Sequence, residues 1–154
     1  MSGVSFQVTL DDEAARLRLV ELVERMNSPR GFYQNVGELL LNSVGDNYDN
    51  ERGPDGRRWQ PLSPVTRELR QRRYGNAPLT ILRVTGSLRG SWNYRATDDD
   101  VRIGTSKIQA ALLHFGGQAG RNRKVKIPAR PQVGVSNDDE REIGRLAEDW
   151  LTLE

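Results

Sequence analysis

No cysteine occurs anywhere in the 154 residues. That absence removes disulfides, thiolate nucleophiles and cysteine zinc sites together, and it fits a reducing compartment. Histidine is almost as scarce: His114 is the single copy, so any zinc site would need carboxylates alone beside it. Long hydrophobic runs are missing too. Leu39-Leu40-Leu41 and Ala110 to Leu113 fall far short of the roughly 20 residues that span a bilayer. Met1 to Gln7 lacks the basic and apolar regions of a signal peptide, and the chain reads as soluble, with no membrane partner. An excess of one charge is also lacking, because 23 Lys and Arg face 21 Asp and Glu for a net +2. Bulk electrostatics therefore do not call for tight nucleic-acid binding.

Catalytic signatures are absent in the same way. No serine sits in a Gly-x-Ser-x-Gly elbow. Gly116-Gly117-Gln118-Ala119-Gly120 follows a helical pattern instead of preceding one, so it is not a phosphate cradle. Asp98-Asp99-Asp100 lacks the spaced positions of a calcium loop and reads as a solvated turn. His114, beside Phe115 at the end of an apolar helix, reads as a group that interacts with that helix end or packs at an interface. The expectation is a protein without catalytic residues, metal or cofactor.

The elements present are those of an α+β chain, a small antiparallel sheet packed by several helices. Val4 to Leu10 alternates as a half-buried strand. Leu19, Val20, Leu22, Val23 and Met26 form a helical stripe that ends at Asn27-Ser28-Pro29. A second helix runs from Phe32 to Tyr48, with Phe32, Val36, Leu39, Leu40 and Val44 inward. Core packing is the reading of both stripes. Gly53-Pro54-Asp55-Gly56 marks a surface loop. Ser63-Pro64 opens a third helix, to about Arg73, as N-cap and first helical residue. Trp92 to Thr97 and Val101 to Thr105 form a hairpin. Lys107 to Phe115 is a short helix halted by Gly116-Gly117, and Ser136 to Glu140 caps a closing helix striped by Ile143, Leu146, Ala147, Trp150 and Leu151.

One local feature departs from the near-neutral whole. No acidic residue lies between Val101 and Asn137, whereas Arg102, Lys107, Arg121, Arg123, Lys124, Lys126 and Arg130 do. A negative partner fits this stretch, either nucleic-acid phosphate or an acidic neighbour. After Phe115 it has no aromatic residue, so base stacking is not expected. Pro128 and Pro131 hold Ile127 and Arg130 extended. The stretch reads as a basic loop to Arg123, a strand-like Lys124 to Ile127 and then a stiff arm laid across another protein, with Gln118 to Lys126 mobile in the monomer and ordered on assembly.

These residues carry a family resemblance. Pro54-Asp55-Gly56-Arg57-Arg58-Trp59-Gln60-Pro61-Leu62-Ser63-Pro64, Leu82 to Arg89 with Thr85-Gly86-Ser87-Leu88, and Val101-Arg102-Ile103-Gly104-Thr105 occur in order. So do Ala110-Ala111-Leu112-Leu113-His114-Phe115-Gly116-Gly117, Ile127-Pro128-Ala129-Arg130-Pro131 and Val133-Gly134. From Glu38 to Leu151 the chain resembles the Mu-like phage virion morphogenesis family, kin to phage tail completion proteins. In that family the position after Pro131 is commonly a large apolar residue, whereas here it is Gln132.

The resemblance implies one domain over residues 1–154 with an assembly loop and arm at about 116–134. It implies a homo-oligomeric ring, a hexamer in preference, at the head–tail junction of the virion, assembled in the host cytoplasm. Portal-side connector or stopper and tail proteins would be its partners, with DNA passing through and touched by backbone contact at most. Phe115, Gly116, Gly117, Lys124, Lys126, Ile127, Pro128, Arg130, Pro131 and Gln132 are then the expected interface. Arg121, Arg123, Lys124 and Lys126 are the expected contacts to channel DNA or an acidic partner. Trp59, Leu62, Thr85, Gly86, Leu88, Gly104, Thr105 and His114 are framework. Two other classes remain open: a small basic DNA-binding module using Arg67 to Arg73 and Arg121 to Arg130, and a hydrolase of assembly or lysis.

Overall fold

The computed structural model describes residues 13–152; the strand expected over Val4 to Leu10 lies outside them. Five helices and two small antiparallel sheets make the α+β fold: α1 Glu13–Asn27, α2 Arg30–Asp49, α3 Pro64–Tyr74, β1 Trp92–Ala96, β2 Val101–Thr105, α4 Gln109–Phe115, β3 Gly117–Ala119, β4 Val125–Ile127 and α5 Asn137–Leu151. None of these helices is long and apolar enough to cross a membrane.

Helix α2 is the axis. The β1–β2 hairpin packs against it and so does α5, while the main neighbour of α1 is α5. The aromatic ring of Tyr94 fills the space that a side chain at position 37 would need, so Gly37 lets β1 lie directly on α2. Hairpin register runs from Trp92 opposite Thr105 to Ala96 opposite Val101. At its turn the Thr97 hydroxyl accepts the N–H groups of Asp99 and Asp100, and Asp100 pairs with Arg102. The Asp100 carboxylate therefore serves the turn.

Local capping signals locate the helix starts. Ser63 accepts the N–H of Thr66, with Pro64 at the first helical position. Ser136 and Asp139 form a reciprocal capping box at α5, of the kind that satisfies otherwise unpaired first-turn donors. Buried Asp139 also accepts the Ser43 hydroxyl of α2 at 3.0 Å, so one carboxylate caps α5 and ties it to the axis.

Val44, Tyr48, Trp59, Leu62, Ile81, Leu82, Leu88 and Ala110 form the core. Tyr48 and Trp59 meet edge to face at 5.5 Å. The α1 stripe differs from its expectation: Leu19, Val20, Val23 and Met26 are each more than half exposed. Its inner side is held instead by the Arg25 guanidinium, which donates to the Trp150 and Thr152 carbonyls of α5.

Candidate assembly site

Helix α4 carries the site out of the core. Ala110 is buried and Leu113 packs against the central cluster, which leaves Ile108 94% and Phe115 77% exposed at its two ends. Gly116 then ends the helix at φ +72°. A Cβ there would sit 2.7 Å from the Ala129 nitrogen and 2.9 Å from the Ile127 oxygen. The returning backbone is in contact, so the position demands a residue without a side chain.

The strand-like stretch from Lys124 to Ile127 is β4, and the loop expected before it supplies a partner strand, making a second hairpin. Gly117 pairs with Ile127, Gln118 with Lys126 and Ala119 with Val125. Asn122 and Arg123 adopt left-handed backbone at its tip, a conformation that asparagine tolerates better than most residues. Arg121, Arg123, Lys124 and Lys126 are all exposed on it and join no ion pair among the described residues.

Beyond Pro128 the chain is extended, as the prolines require, but it docks on its own body. The Arg130 N–H donates to the Leu113 carbonyl at 2.8 Å. The Arg130 guanidinium donates to the carbonyls of Gln60 and Pro61. The Pro131 carbonyl accepts the Trp59 indole N–H at 2.8 Å. Gln132 is 0% exposed: its N–H donates to His114 Nδ1, its carbonyl accepts from Asn47, and its Oε1 accepts the Tyr48 hydroxyl. Arg130 and Gln132 were expected to face another subunit. They are internal here: carbonyls of this chain accept the Arg130 guanidinium, and His114, Asn47 and Tyr48 bond Gln132 at every polar atom but Nε2. Phe115, Lys124 and Lys126 do face outward, while Ile127, Pro128 and Pro131 are half-buried.

Burial lowers the His114 pKa below its ordinary value of 6.5. A neutral ring accepting an N–H replaces the expected favourable interaction of a charged imidazole with the helix end. Burial likewise raises the Tyr48 hydroxyl, against the smaller opposing effect of the hydrogen bond from Trp92. Of the framework residues, Trp59, Leu62 and Leu88 are core. Thr105 is hydroxyl-bonded to Ser91 at 2.6 Å and closes the hairpin end beside Gly104. Thr85 and Gly86 instead line a cleft of about 460 Å³ between the start of α3, the 82–88 loop, α4 and β4. Arg70 also lines it, a residue distinguished in the sequence only as one of the basic residues of its helix. No group of three or more potential metal ligands occurs among the described residues.

A model of the phage virion morphogenesis family matches residues 10–152. The chain is 30% identical over 143 residues to the putative capsid assembly protein G of Escherichia phage Mu, covering 92% of this chain and 90% of that one. It is 38% identical over 69 residues to the Mu-like prophage FluMu G protein 2 of Haemophilus influenzae, covering 45% of this chain but only 50% of that relative's length. No solved structure matches.

Proposed function

Because this chain belongs to the phage virion morphogenesis family, we propose that it completes the head–tail junction of a Mu-like particle as a structural, non-enzymatic ring of identical subunits, hexameric in preference. One observation supports the assembly reading above the others. The chain leaves apolar side chains uncovered on two separate elements, the α1 stripe and the Ile108–Phe115 ends of α4. Contiguous exposed apolar surface is what an interaction site leaves on an isolated subunit. Two different patches suit the head-to-tail contacts that close a ring.

Within such a ring the β3–β4 hairpin presents four exposed cations that join no ion pair among the described residues. Passing DNA, held by backbone contact alone, is the negative surface they suit, and that contact weakens steeply with salt. Portal-side and tail proteins would meet the two faces of the ring. The same cations on an isolated monomer would give the rival reading, a small DNA-binding module, but no base-reading element accompanies them.

Native mass spectrometry of the purified chain, together with its copy number and position in the virion, tests the proposal. A discrete oligomer in solution and a single ring at the neck are expected. A strict monomer at all concentrations, combined with a virion lacking the protein, would overturn it.

A further inference from the structure

Arg130 is only 6% exposed, yet no carboxylate pairs with it. Its donors go to the carbonyls of Gln60 and Pro61 at 2.9 and 3.2 Å. Arg70 lies close enough to oppose its charge electrostatically, and its own bond is likewise to a carbonyl, that of Thr80 at 2.6 Å. Glu51 is the acid whose field reaches Arg130, but it makes no ion pair and accepts the Ile81 N–H through Oε1. Burying a cation without an ion-pair partner is costly, and here the buried Arg130 also feels the like charge of the half-buried Arg70.

Both arginines line the 460 Å³ cleft, with Lys126 on its β4 side, and no acidic residue contributes to the wall. Leu82, Val84, Val125 and Ile127 give the wall its apolar part. Leu82 holds left-handed backbone at φ +57°, a conformation uncommon for a bulky residue and often found at ligand clamps. Arg130 is a buried part of the cleft wall, which suits a carboxylate on a flexible side chain better than a phosphate fixed on a duplex.

We propose that this cleft receives an acidic segment of a partner protein, with one carboxylate placed between Arg70 and Arg130 and apolar side chains on either side of it. The proposal rests on the assembly reading for its choice of partner, another protein of the particle. Its occupant supplies the counter-charge that the isolated chain lacks, which makes the pocket a specificity device: an uncharged or basic segment leaves both guanidiniums unpaired.

The test uses the full chain and a synthetic blocked peptide, Leu-Glu-Leu-Asp-Leu, beside its amide counterpart Leu-Gln-Leu-Asn-Leu. Binding is followed by calorimetry and by the Nε–Hε resonances of the arginines. The acidic peptide is expected to bind at least tenfold tighter and to shift the Arg70 and Arg130 signals. Arg70→Gln should abolish that preference while Arg70→Lys retains most of it, with thermal melts confirming that both variants fold. Equal binding of the two peptides, an unchanged preference in Arg70→Gln, or displacement of the peptide by a short DNA duplex at physiological salt would overturn the proposal. None of these readouts depends on ring formation, so failure of the oligomer test and failure of this one are separable.

Discussion

Gly116 and Gly56 have nearly the same backbone, φ +72° and +77°, in different surroundings. Nothing lies within 4 Å of a Cβ placed at Gly56, whereas one at Gly116 meets the Ala129 nitrogen at 2.7 Å, the Ile127 oxygen at 2.9 Å and the Ala129 Cα at 3.1 Å. Alanine in left-handed backbone costs about 1–2 kcal/mol at either site, and the gain from restricting the unfolded chain is common to both. These contributions cancel in the comparison. What remains is steric, and because the three atoms are backbone, no side-chain rotation relieves it. Overpacking of this kind costs about 1–3 kcal/mol. Gly116→Ala should therefore lose about 2 kcal/mol more than Gly56→Ala, read from urea midpoints at constant m-value. Equal losses, within about 0.5 kcal/mol, would show that the return of the chain past Gly116 is not held in the folded protein.

Stability should fall as the pH is lowered through 6.5. His114 has a depressed folded pKa, so between that value and 6.5 the unfolded chain holds more protons; the loss levels off below the folded pKa. A stability profile flat from pH 8 to 5, or one that keeps its slope in His114→Gln, would contradict this. Gln132→Met removes a buried Nε2 that has no hydrogen-bond partner at the expense of a long 3.4 Å bond from Tyr48. The variant should melt with stability unchanged or raised by about 1 kcal/mol, and a loss above about 2 kcal/mol would show that the amide is structurally required. Val23→Lys on exposed α1 should leave the urea midpoint of the monomer within about 0.5 kcal/mol while abolishing self-association in analytical ultracentrifugation. An intact oligomer would remove α1 from the interface. Asp139→Ala loses the carboxylate half of the α5 capping box and the Ser43 tie and should cost about 2 kcal/mol by chemical denaturation; a loss below about 0.5 kcal/mol would show that the tie between α2 and α5 is made by other contacts.

Elements with local chemical signals were legible in the sequence. Ser63-Pro64, the Ser136–Asp139 box and the hairpin around Asp98 to Asp100 are recognisable because cap and turn chemistry acts over three or four residues. Periodicity showed that α1 has an apolar face, but it carries no information on what covers that face. The prolines fixed the extended shape of the arm and not the surface it lies on. Residue type then misplaced its contents: Arg130 and Gln132 are polar and suggest a surface, yet carbonyls about 70 residues earlier in the chain accept the donors of Arg130. The strand-like character of Lys124 to Ile127 marked β4, but its partner β3 is three residues beginning at a glycine, too short for alternation to register. Arg67 to Arg73 and Arg121 to Arg130 could be grouped by charge, but that Arg70 and Arg130 line one cleft is visible only once the folded chain brings α3 beside the arm.

The docking of the arm also has a consequence in time. Trp59 donates its indole N–H to a carbonyl 72 residues further along the chain, and Tyr48 waits for Gln132. At ribosomal rates of about 5–20 residues per second, roughly 4–14 seconds separate the synthesis of Trp59 from that of its partner. During that interval the central aromatics cannot take their final places. A chain broken off before the arm lacks the partners of both aromatics, so in the assembly role proposed above the fold would itself favour complete chains over truncated ones.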